Sequence, residues 1–383
     1  MKILFLKSVL ILLILITSCS TNPNRSFVSS YQDVNWDRIG YYDMQIHVHP
    51  GIGDEEYDPH QTIDRYYEEG FKILAFTPHD YDVPDDYIDH IYPWTELANI
   101  YEVIKNVQNP TEDYKTYEEI ANEPFENRDP VELGMVSVQG SEISGPHHIN
   151  NLFSSFSAGE NHERLTIQKI EEYGGIAFFN HPGRYTDRWD LTPYWYVDKY
   201  LRFDVMVGQS IYNRIDRHPE DRPLFDKIAH LLGPERPIWL YGEDDMHHEG
   251  TLAWNRNVIL LENFEPGSMH PDIQDGSAPD VKNALINGEF YFWKPSEQYN
   301  RRAFDIAELM VSDKSVKLTI DKPELVQEVK WRTHNPELDE TVTIHSDLSL
   351  SMSDVPEYAN FVRAEIIGED GKIYTQPIYI EKQ

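Results

Sequence analysis

Five separated segments of this 383-residue chain carry residue types that bind metal ions, and each segment follows a short apolar run. They contribute, in chain order, His47, His49 and Asp54, then His79 and Asp80, then Glu142, His147 and His148, then His181, and finally Asp244, Asp245 and His247. An apolar run of this length predicts a buried parallel strand. Because residues just beyond the strands of an α/β barrel meet at one face, the segments predict one pocket that binds several metal ions.

The residue types in this pocket favour hydrolysis. Neutral imidazoles and carboxylates bind Zn, Mn or Fe without a thiolate. His47 and His49 are two positions apart, so on a regular strand their side chains share a face. A carboxylate such as that of Glu142 can bridge two ions. Adjacent ions polarise an ester and lower the pKa of a shared water, so we expect two or three divalent ions and hydroxide as the nucleophile.

The ordered His-x-His, Asp, His, Glu, His, His and Asp-x-His residues between about residues 40 and 295 resemble the PHP (polymerase and histidinol phosphatase) superfamily of metal-dependent phosphoesterases. The resemblance implies a distorted (β/α)7 barrel with up to three metal ions at the carboxyl ends of its strands. It also implies the following metal ligands: His47, His49, Asp54, His79, Glu142, His148, His181, Asp245 and His247.

Two of these assignments have alternatives close by in the sequence. Asp54 has acidic neighbours that could take its place, namely Glu55, Glu56 and Asp58. His148 is preferred to His147 because the residues after His148 match the family pattern of a histidine followed by an apolar strand.

The family pattern is also altered at two segments. The usual Thr-Asp-His is Thr77-Pro78-His79 here, and the usual Gly-Ser-Asp-Ala-His is Glu243-Asp244-Asp245-Met246-His247. The second change leaves a shifted register open, in which Asp244 and His248 would replace Asp245 and His247.

Two residues are candidates for roles beyond binding metal. Arg184 lies three residues after His181, where its guanidinium could clamp a phosphate through two hydrogen bonds. A salt bridge to a nearby carboxylate is the alternative. Asp80 follows His79 and is expected to hold a histidine ring in place. His218 matches no motif and is predicted to be a surface group.

The order of apolar and amphipathic segments predicts alternating strands and helices. We predict strands over residues 41–48, 72–77, 136–140, 176–179, 203–207 and 238–241, and helices over residues 59–69, 166–173, 219–232 and 279–287. Pro59 and Gly70 fit the rules for the first position of a helix and the position after its end. The alternation lapses over residues 81–132, which predict an insertion on the face of the site and a candidate lid.

The chain changes character after about residue 300, where alternating segments separated by turns predict antiparallel strands. We therefore expect a metallohydrolase domain over residues 36–300 and a small antiparallel β unit over residues 301–383.

The amino terminus predicts export. Residues 1–18 combine Lys2 and Lys7 with a short apolar core, which is typical of a signal peptide and too short to span a bilayer. The sequence that ends at Cys19 resembles a bacterial lipobox, so we predict lipidation of Cys19 and a polar tether through residue 35. The protein would then be anchored by lipid in the bacterial cell envelope, on the periplasmic or the surface face. An ordinary secretory signal or an uncleaved anchor is the alternative.

The net charge of −33 bears on the partners of the protein. So acidic a surface repels polyanions at long range, and no nucleic-acid polymer is expected as a partner. We predict a hydrolase that acts on a small ester, most simply a phosphorylated one. The alternatives are hydrolysis of a carboxylic or carbamate ester at the same metal centre, or a lipoprotein that captures a ligand without turnover.

Overall fold

The computed structural model of the protein describes residues 25–49, 59–80, 130–154, 156, 162–189, 192–263, 270–275 and 278–382. The predicted signal peptide, Cys19, Asp54 and residues 81–129 of the predicted insertion lie outside these ranges.

The secondary structure of the described residues is dominated by strands. The strands are β1 (Arg25–Val28), β2 (Ile39–Val48), β3 (Ile73–Phe76), β4 (Val136–Ser144), β5 (His148–Leu152), β6 (Ile176–Phe179), β7 (Met206–Asn213), β8 (Trp239–Glu243), β9 (Arg256–Glu262), β10 (Phe290–Pro295), β11 (Ile306–Val311), β12 (Ser315–Ile320), β13 (Val326–Asn335), β14 (Glu340–His345), β15 (Ser349–Ser351), β16 (Phe361–Gly368), β17 (Gly371–Tyr374) and β18 (Ile378–Lys382). The helices are α1 (Pro59–Glu68), α2 (Pro130–Leu133), α3 (Glu163–Glu172), α4 (Gly183–Trp189), α5 (Pro193–Arg202), α6 (Asp221–Leu232), α7 (Pro271–Asp275) and α8 (Pro279–Asn287). None of these helices is long and apolar enough to cross a membrane.

Strands β2 to β8 are neighbours in sequence order within one large mixed sheet. β3 pairs in parallel with β2 and β4, and β7 pairs in parallel with β6 and β8. β5 is antiparallel to both β4 and β6, so a hairpin interrupts the expected alternation of strand and helix. Every residue of β3, β6, β7 and β8 is buried, as expected for strands covered on both faces.

The sheet curls so that β8 approaches β2. The amide of His49 donates to the carbonyl of Met246 at 3.0 Å, and Val48 and Met246 form a parallel bridge. The mixed α/β class is therefore confirmed, whereas closure into a complete seven-stranded barrel stays a prediction.

The predicted strand over residues 203–207 is misplaced. β7 covers Met206–Asn213, and its polar residues Gln209, Ser210 and Asn213 are fully buried. The predicted strand ended too early because it was based on an apolar run, and these buried polar side chains interrupt that run. The correction matters because β7 ends next to the site.

The C-terminal strands extend the same sheet. β17 pairs with β10, and β16 pairs with both β17 and β18, while β11, β12 and β15 form a separate three-stranded sheet. Trp331, Val362 and Ile378 pack there in a second apolar core. The main core lies between β2–β8 and their helices.

The predicted tether over residues 19–35 is wrong from residue 25 onward. β1 pairs with β18, and Phe27 and Tyr31 are buried in the second core at 1% exposure each. Polar composition suggested a linker, but the alternating Arg25-Ser26-Phe27-Val28 can bury every second side chain once β18 supplies an edge.

Candidate metal centre

The histidines and acids of the five segments meet at one end of strands β2, β3, β6 and β8. His47 lies one residue before the end of β2 at Val48, and His49 follows this end. His79, His181 and Asp245 lie two or three residues beyond the ends of β3, β6 and β8. Parallel strands thus bring residues that are distant in sequence to one edge, as the sequence predicts.

Glu142 lies at the centre of the cluster and is 1% exposed. Its Oε1 atom lies 2.8 Å from Nδ1 of His148 and 3.4 Å from Nε2 of His47. Its Oε2 atom lies 2.9 Å from Nδ1 of His79 and 3.6 Å from Nε2 of His49. The two carboxylate oxygens therefore face different imidazoles, which is the arrangement that a bridging ligand requires.

Three overlapping sets of donor atoms surround Glu142, and within each set the atoms lie within 4.8 Å of one another. The sets are His47, His49 and Glu142; His49, His79 and His247; and Glu142, His148 and His181. Asp245 adjoins the first set, because its Oδ1 lies 3.4 Å from Nε2 of His49. Eight of the nine predicted ligands are thus brought together, and the ninth, Asp54, lies outside the described residues.

The local electrostatics favour the metal-binding forms of Glu142, Asp245 and His49, whereas Glu142 and Glu243 overcome burial and raise the pKa of His47 well above its usual range, so metal binding would displace a proton from His47. Burial alone would raise the pKa of Glu142, but His47 and His148 hold this pKa well below its usual range. Burial likewise opposes ionisation of Asp245, and its hydrogen bond to His49 and the charge of His47 overcome that effect and lower its pKa. Burial lowers the pKa of His49, so this imidazole is neutral. Ionised carboxylates and neutral imidazoles are the forms that coordinate divalent ions.

The unpaired polar atoms of the cluster also fit metal ions. Nε2 of His47 and Nε2 of His49 are 3.0 Å apart and point toward the same carboxylates. Oε2 of Glu142, which lies among these rings, is buried and makes no hydrogen bond of normal geometry among the described residues. An unpaired buried oxygen costs about 1–3 kcal/mol, and a cation beside it would offset such a cost.

Glu243 supports the cluster from the side of β8. Its Oε2 lies 3.0 Å from Nδ1 of His47, which directs Nε2 of His47 toward Glu142. The hydroxyl of Ser210 and the amide nitrogen of Asn213 donate to its Oε1, each at 3.0 Å. Carboxylates in this position fix the tautomer of a metal-binding histidine. Glu243 was not among the site residues that we predicted from the sequence.

The close packing of β8 against β10 determines the position of Glu243. A Cβ atom on the preceding Gly242 would overlap the ring of Phe292, so only glycine lets β8 pass β10 this closely. β6, which β7 separates from β8, leads to Asn180, whose side-chain amide donates to Oε1 of Glu142 at 2.9 Å. Asn180 was also missed, although it directly precedes His181.

The register of the last segment places Asp245 in the cluster and Asp244 beneath it. Asp244 accepts hydrogen bonds from the hydroxyl of Tyr66 at 2.8 Å and the amide of Ala253 at 2.7 Å. These bonds make Asp244 a structural residue that joins α1 to the loop after β8. Asp245 instead faces His49.

The histidines beside the predicted ligands are directed elsewhere. Nδ1 of His147 lies 2.7 Å from Oε1 of Glu163, and its ring lies 4.2 Å from that of Trp195. His148 faces Glu142, as preferred from the sequence. His248 caps the short 3-10 turn Glu249–Thr251.

Nδ1 of His247 lies 2.9 Å from the carbonyl oxygen of Asp245. Nη2 of Arg214 lies 3.2 Å from the same Nδ1. A carbonyl can only accept and a guanidinium can only donate, so these two contacts favour opposite tautomers of His247.

The contact of Asp80 with a histidine is indirect in the structure. Oδ1 of Asp80 accepts from the backbone amide of Ser144 at 2.9 Å, and no hydrogen bond to a histidine ring is present among the described residues. The hydroxyl of Ser144 in turn lies 2.8 Å from Nδ1 of His79. Asp80 therefore acts on His79 through Ser144, because the turn after β3 directs its carboxylate toward the β4–β5 hairpin.

Three arginines lie on the side of the cluster formed by α4 and the loop after β7. Nε of Arg214 donates to Oδ2 of Asp245 at 3.1 Å, and Nη1 of Arg217 lies 3.8 Å from the same oxygen. Arg184 is partly buried, with its guanidinium 5.7 Å from the centre of the Tyr185 ring, and it forms no ion pair with a carboxylate of the described residues. Arg214 and Arg217 were missed because β7 was predicted to end too early.

His218 is not the surface group that we predicted. Its ring lies 5.5 Å from the ring of His181. Burial, followed by the charges of His181 and Arg217, lowers the pKa of His218 to about 4. It is therefore a neutral side chain at the edge of the site.

Backbone strain is concentrated around the cluster. His181, Asp245 and Arg214 have positive φ angles of 31°, 45° and 56°. Such angles are unfavourable for residues with a Cβ atom, and they persist where the surroundings fix the geometry. The amide of His181 shows such fixing, since it donates to the hydroxyl of Ser210 at 2.7 Å and to Oε1 of Glu243 at 3.1 Å.

Comparison with known proteins gives matches among solved structures. No family model matches the chain, and no curated protein matches it. A two-domain protein from Bacteroides vulgatus, which contains a predicted PHP-like metal-dependent phosphoesterase, is 14% identical, with a TM-score of 0.48 over 92% of this chain and 90% of that chain. An amidohydrolase from Chromobacterium violaceum is also 14% identical, with a TM-score of 0.32 over 54% of this chain and 88% of that chain. The first neighbour is of the class that the motifs resemble, but at these identities and TM-scores neither the family nor the activity of this chain follows.

Proposed function

We propose that this protein is a metal-dependent hydrolase that acts on a small phosphoester. The observation that carries the proposal is the position of Glu142, a buried carboxylate with an imidazole within 3 Å of each oxygen, at 2.8 Å for His148 and 2.9 Å for His79. A single ion does not need a carboxylate that serves two sides, whereas two adjacent ions do.

Different residues of the cluster would hold different sides of the metal centre. Divalent ions, when bound, would polarise the ester and lower the pKa of a coordinated water. His47, His49 and Asp245 would hold one side of the centre, and His148 and His181 the other, with Glu142 between them. Glu243 keeps Nε2 of His47 directed inward.

The arginines favour a phosphoryl group over a carbonyl. The chain has 66 acidic and 33 basic residues, yet Arg184, Arg214 and Arg217 all lie beside the cluster. Arg214 and Arg217 are partly neutralised by Asp245, whereas Arg184 has no such partner among the described residues. A guanidinium with no carboxylate partner among these residues, beside a candidate metal centre, suits a substrate that carries several anionic oxygens.

A direct assay distinguishes the candidate reactions. The full chain, reconstituted with Mn or Zn, should hydrolyse p-nitrophenyl phosphate or its diester, and turnover should stop on chelation and return with the metal. Faster turnover of p-nitrophenyl acetate would favour the carboxylic ester alternative. Binding of metal without turnover of any of these esters would favour ligand capture.

Replacing Arg184 with alanine should reduce kcat/KM for the phosphoester by about a hundredfold, and for the carboxylic ester by a much smaller factor. A charge-assisted bidentate contact is worth about 1.5–3 kcal/mol, and a carbonyl offers only one oxygen to the guanidinium. The ratio of the two specificity constants is the measurement. Arg184→Lys is the matched control, because it keeps the charge but loses the planar fork. Its kcat/KM for the phosphoester should fall between those of the wild type and Arg184→Ala. Equal losses on both substrates would leave Arg184 without a role in recognising phosphate.

We also propose that the enzyme is anchored in the cell envelope through Cys19. The segment from Leu15 to Cys19 supports this placement, and residues 20–24 would then connect the lipid to β1. This linker is shorter than the tether that we first predicted, so the protein would sit close to the membrane.

Cys19→Ala should release the protein from the membrane fraction or block its maturation, and labelled fatty acid should no longer be incorporated. A bacterial lipoprotein carries several acyl chains, which make anchoring stable. Cys19→Ser is a matched control of nearly the same size that also lacks the thiol, and it should behave in the same way. A wild-type protein that is soluble and takes up no labelled lipid would contradict the anchor without affecting the metal centre.

A further inference from the structure

Lys294 is a buried lysine that the proposed chemistry does not use. It lies in β10 and is 7% exposed. Its Nζ donates to the carbonyl oxygen of Arg214 at 3.1 Å and to that of Trp254 at 3.3 Å. No carboxylate forms an ion pair with it among the described residues. The charge of Asp244 favours the ammonium but does not outweigh its burial, so the retention of a lysine at this position needs a reason.

The two carbonyls belong to two different loops beside the cluster. Arg214 follows β7, and Trp254 lies in the loop between β8 and β9. Both loops contain a residue in the left-handed region, Arg214 with φ 56° and Ala253 with φ 57°. Lys294 is thus a single donor group that holds two strained loops to β10.

The rings around Lys294 compensate for part of its burial. Nζ lies 4.7 Å from the centre of the Trp254 ring and 5.4 Å from that of Tyr212. Burial lowers the pKa of Lys294 to about 7, but a neutral amine keeps two N–H groups, which suffice for the two carbonyls. The contacts therefore persist in either protonation state.

The side chain of Arg214 faces the cluster, and Lys294 binds the backbone carbonyl of the same residue. Its Nε donates to Oδ2 of Asp245, and its Nη2 lies 3.2 Å from Nδ1 of His247. Asn255 also donates to the carbonyl of Arg214 at 3.0 Å, from the same loop as Trp254. Movement of the Arg214 carbonyl would turn the guanidinium away from Asp245, since a rotation of the backbone carries the side chain with it.

We propose that Lys294 is a positioning residue that fixes Arg214 against Asp245 by holding the carbonyl oxygens of Arg214 and Trp254. The consequence for catalysis rests on the proposed function, whereas the effect on the orientation of Arg214 does not.

The direct test is the side-chain Nε–H signal of Arg214 in ¹H–¹⁵N spectra of the full chain, assigned by its loss in Arg214→Ala. Lys294→Met keeps the length of the side chain and removes the donor, so the signal should shift or broaden. The matched control is Lys372→Met, because Lys372 is the cross-strand partner of Lys294 in β17 but is exposed. It should leave the signal in place. If Lys294→Met does not fold, Lys294→Gln, which keeps an N–H donor on a shorter chain, should give a smaller shift in the same signal.

A double-mutant comparison tests the route of action. Lys294→Met should lower kcat/KM by about tenfold in the wild-type background, and by less than about twofold in the Arg214→Ala background. Additive losses, or an Arg214 signal that is unchanged in the Lys294 variants, would overturn the inference. A wild-type protein without hydrolase activity would remove the proposed function, and the Arg214 signal would still decide the role of Lys294.

Discussion

Replacing His47 or Asp245 with alanine should lower hydrolysis by about a thousandfold or more while the fold is retained. Loss of a ligand removes several kcal/mol of charge stabilisation from the reaction, and about 4 kcal/mol corresponds to this factor. His47 lies within 4 Å of Glu142, Glu243 and Asp245, so its removal empties the middle of the cluster. The measurement is kcat/KM with saturating metal, and circular dichroism reports the fold.

Asp244→Asn is the matched control for the variant at Asp245, because the two acids are adjacent and both are buried. Each Asp244 oxygen accepts from a backbone amide, Oδ2 from Ala253 at 2.7 Å and Oδ1 from Trp254 at 3.0 Å. An asparagine amide would turn a donor toward one of them, which costs about 1–3 kcal/mol of stability. We expect a lower melting temperature with metal binding largely kept. Unfolding of the His47 and Asp245 variants, with little loss of activity in any folded fraction, would make the metal structural.

Glu142→Gln should abolish turnover and reduce the number of bound ions. The substitution keeps the shape of the side chain but removes its charge and replaces one oxygen by a donor. One of the two imidazoles nearest to the carboxylate, His79 and His148, would then face an amide nitrogen. Because a neutral amide is a poor bridge between cations, we expect metal content and activity to fall together.

Glu163→Gln is the control for this prediction. Glu163 accepts from Nδ1 of His147 at 2.7 Å, nearly the same contact as that of Glu142 with His148, but outside the cluster. It should leave metal content unchanged. Equal effects of the two substitutions would mean that loss of any buried acid–histidine contact in this region disturbs the site.

The meeting of the predicted ligands at one edge of the sheet could be predicted from the sequence because the position of each one relative to an apolar run is a local property. His47, His181 and Asp245 each lie at or just after the end of an apolar run, and parallel strands bring such ends together. His148, which directly precedes an apolar strand, faces Glu142, whereas His147 faces Glu163, so the preference for His148 as a ligand stays a prediction that this geometry favours.

The supporting residues could not be predicted in the same way. Glu243 and Asp244 are both buried acids, and only the packing of Gly242 against Phe292 and the bonds from Tyr66 determine which way each one points. The position of Arg214 depends on where β7 ends. This end could not be predicted from an apolar run, because the last part of β7 contains buried polar residues. The pairing of β1 with β18 joins the two ends of the described chain, and no local pattern carries that information.

Elemental analysis of the purified wild-type chain tests the central claim most directly. The protein should be reconstituted with Mn or Zn, freed of loosely bound ions, and compared with Glu142→Gln. We predict two or three divalent ions per chain in the wild type, because the donor sets around Glu142 exceed what one ion can use, and at least one ion fewer in the variant. One ion or none in the reconstituted wild type would contradict the shared metal centre on which the proposed hydrolysis depends.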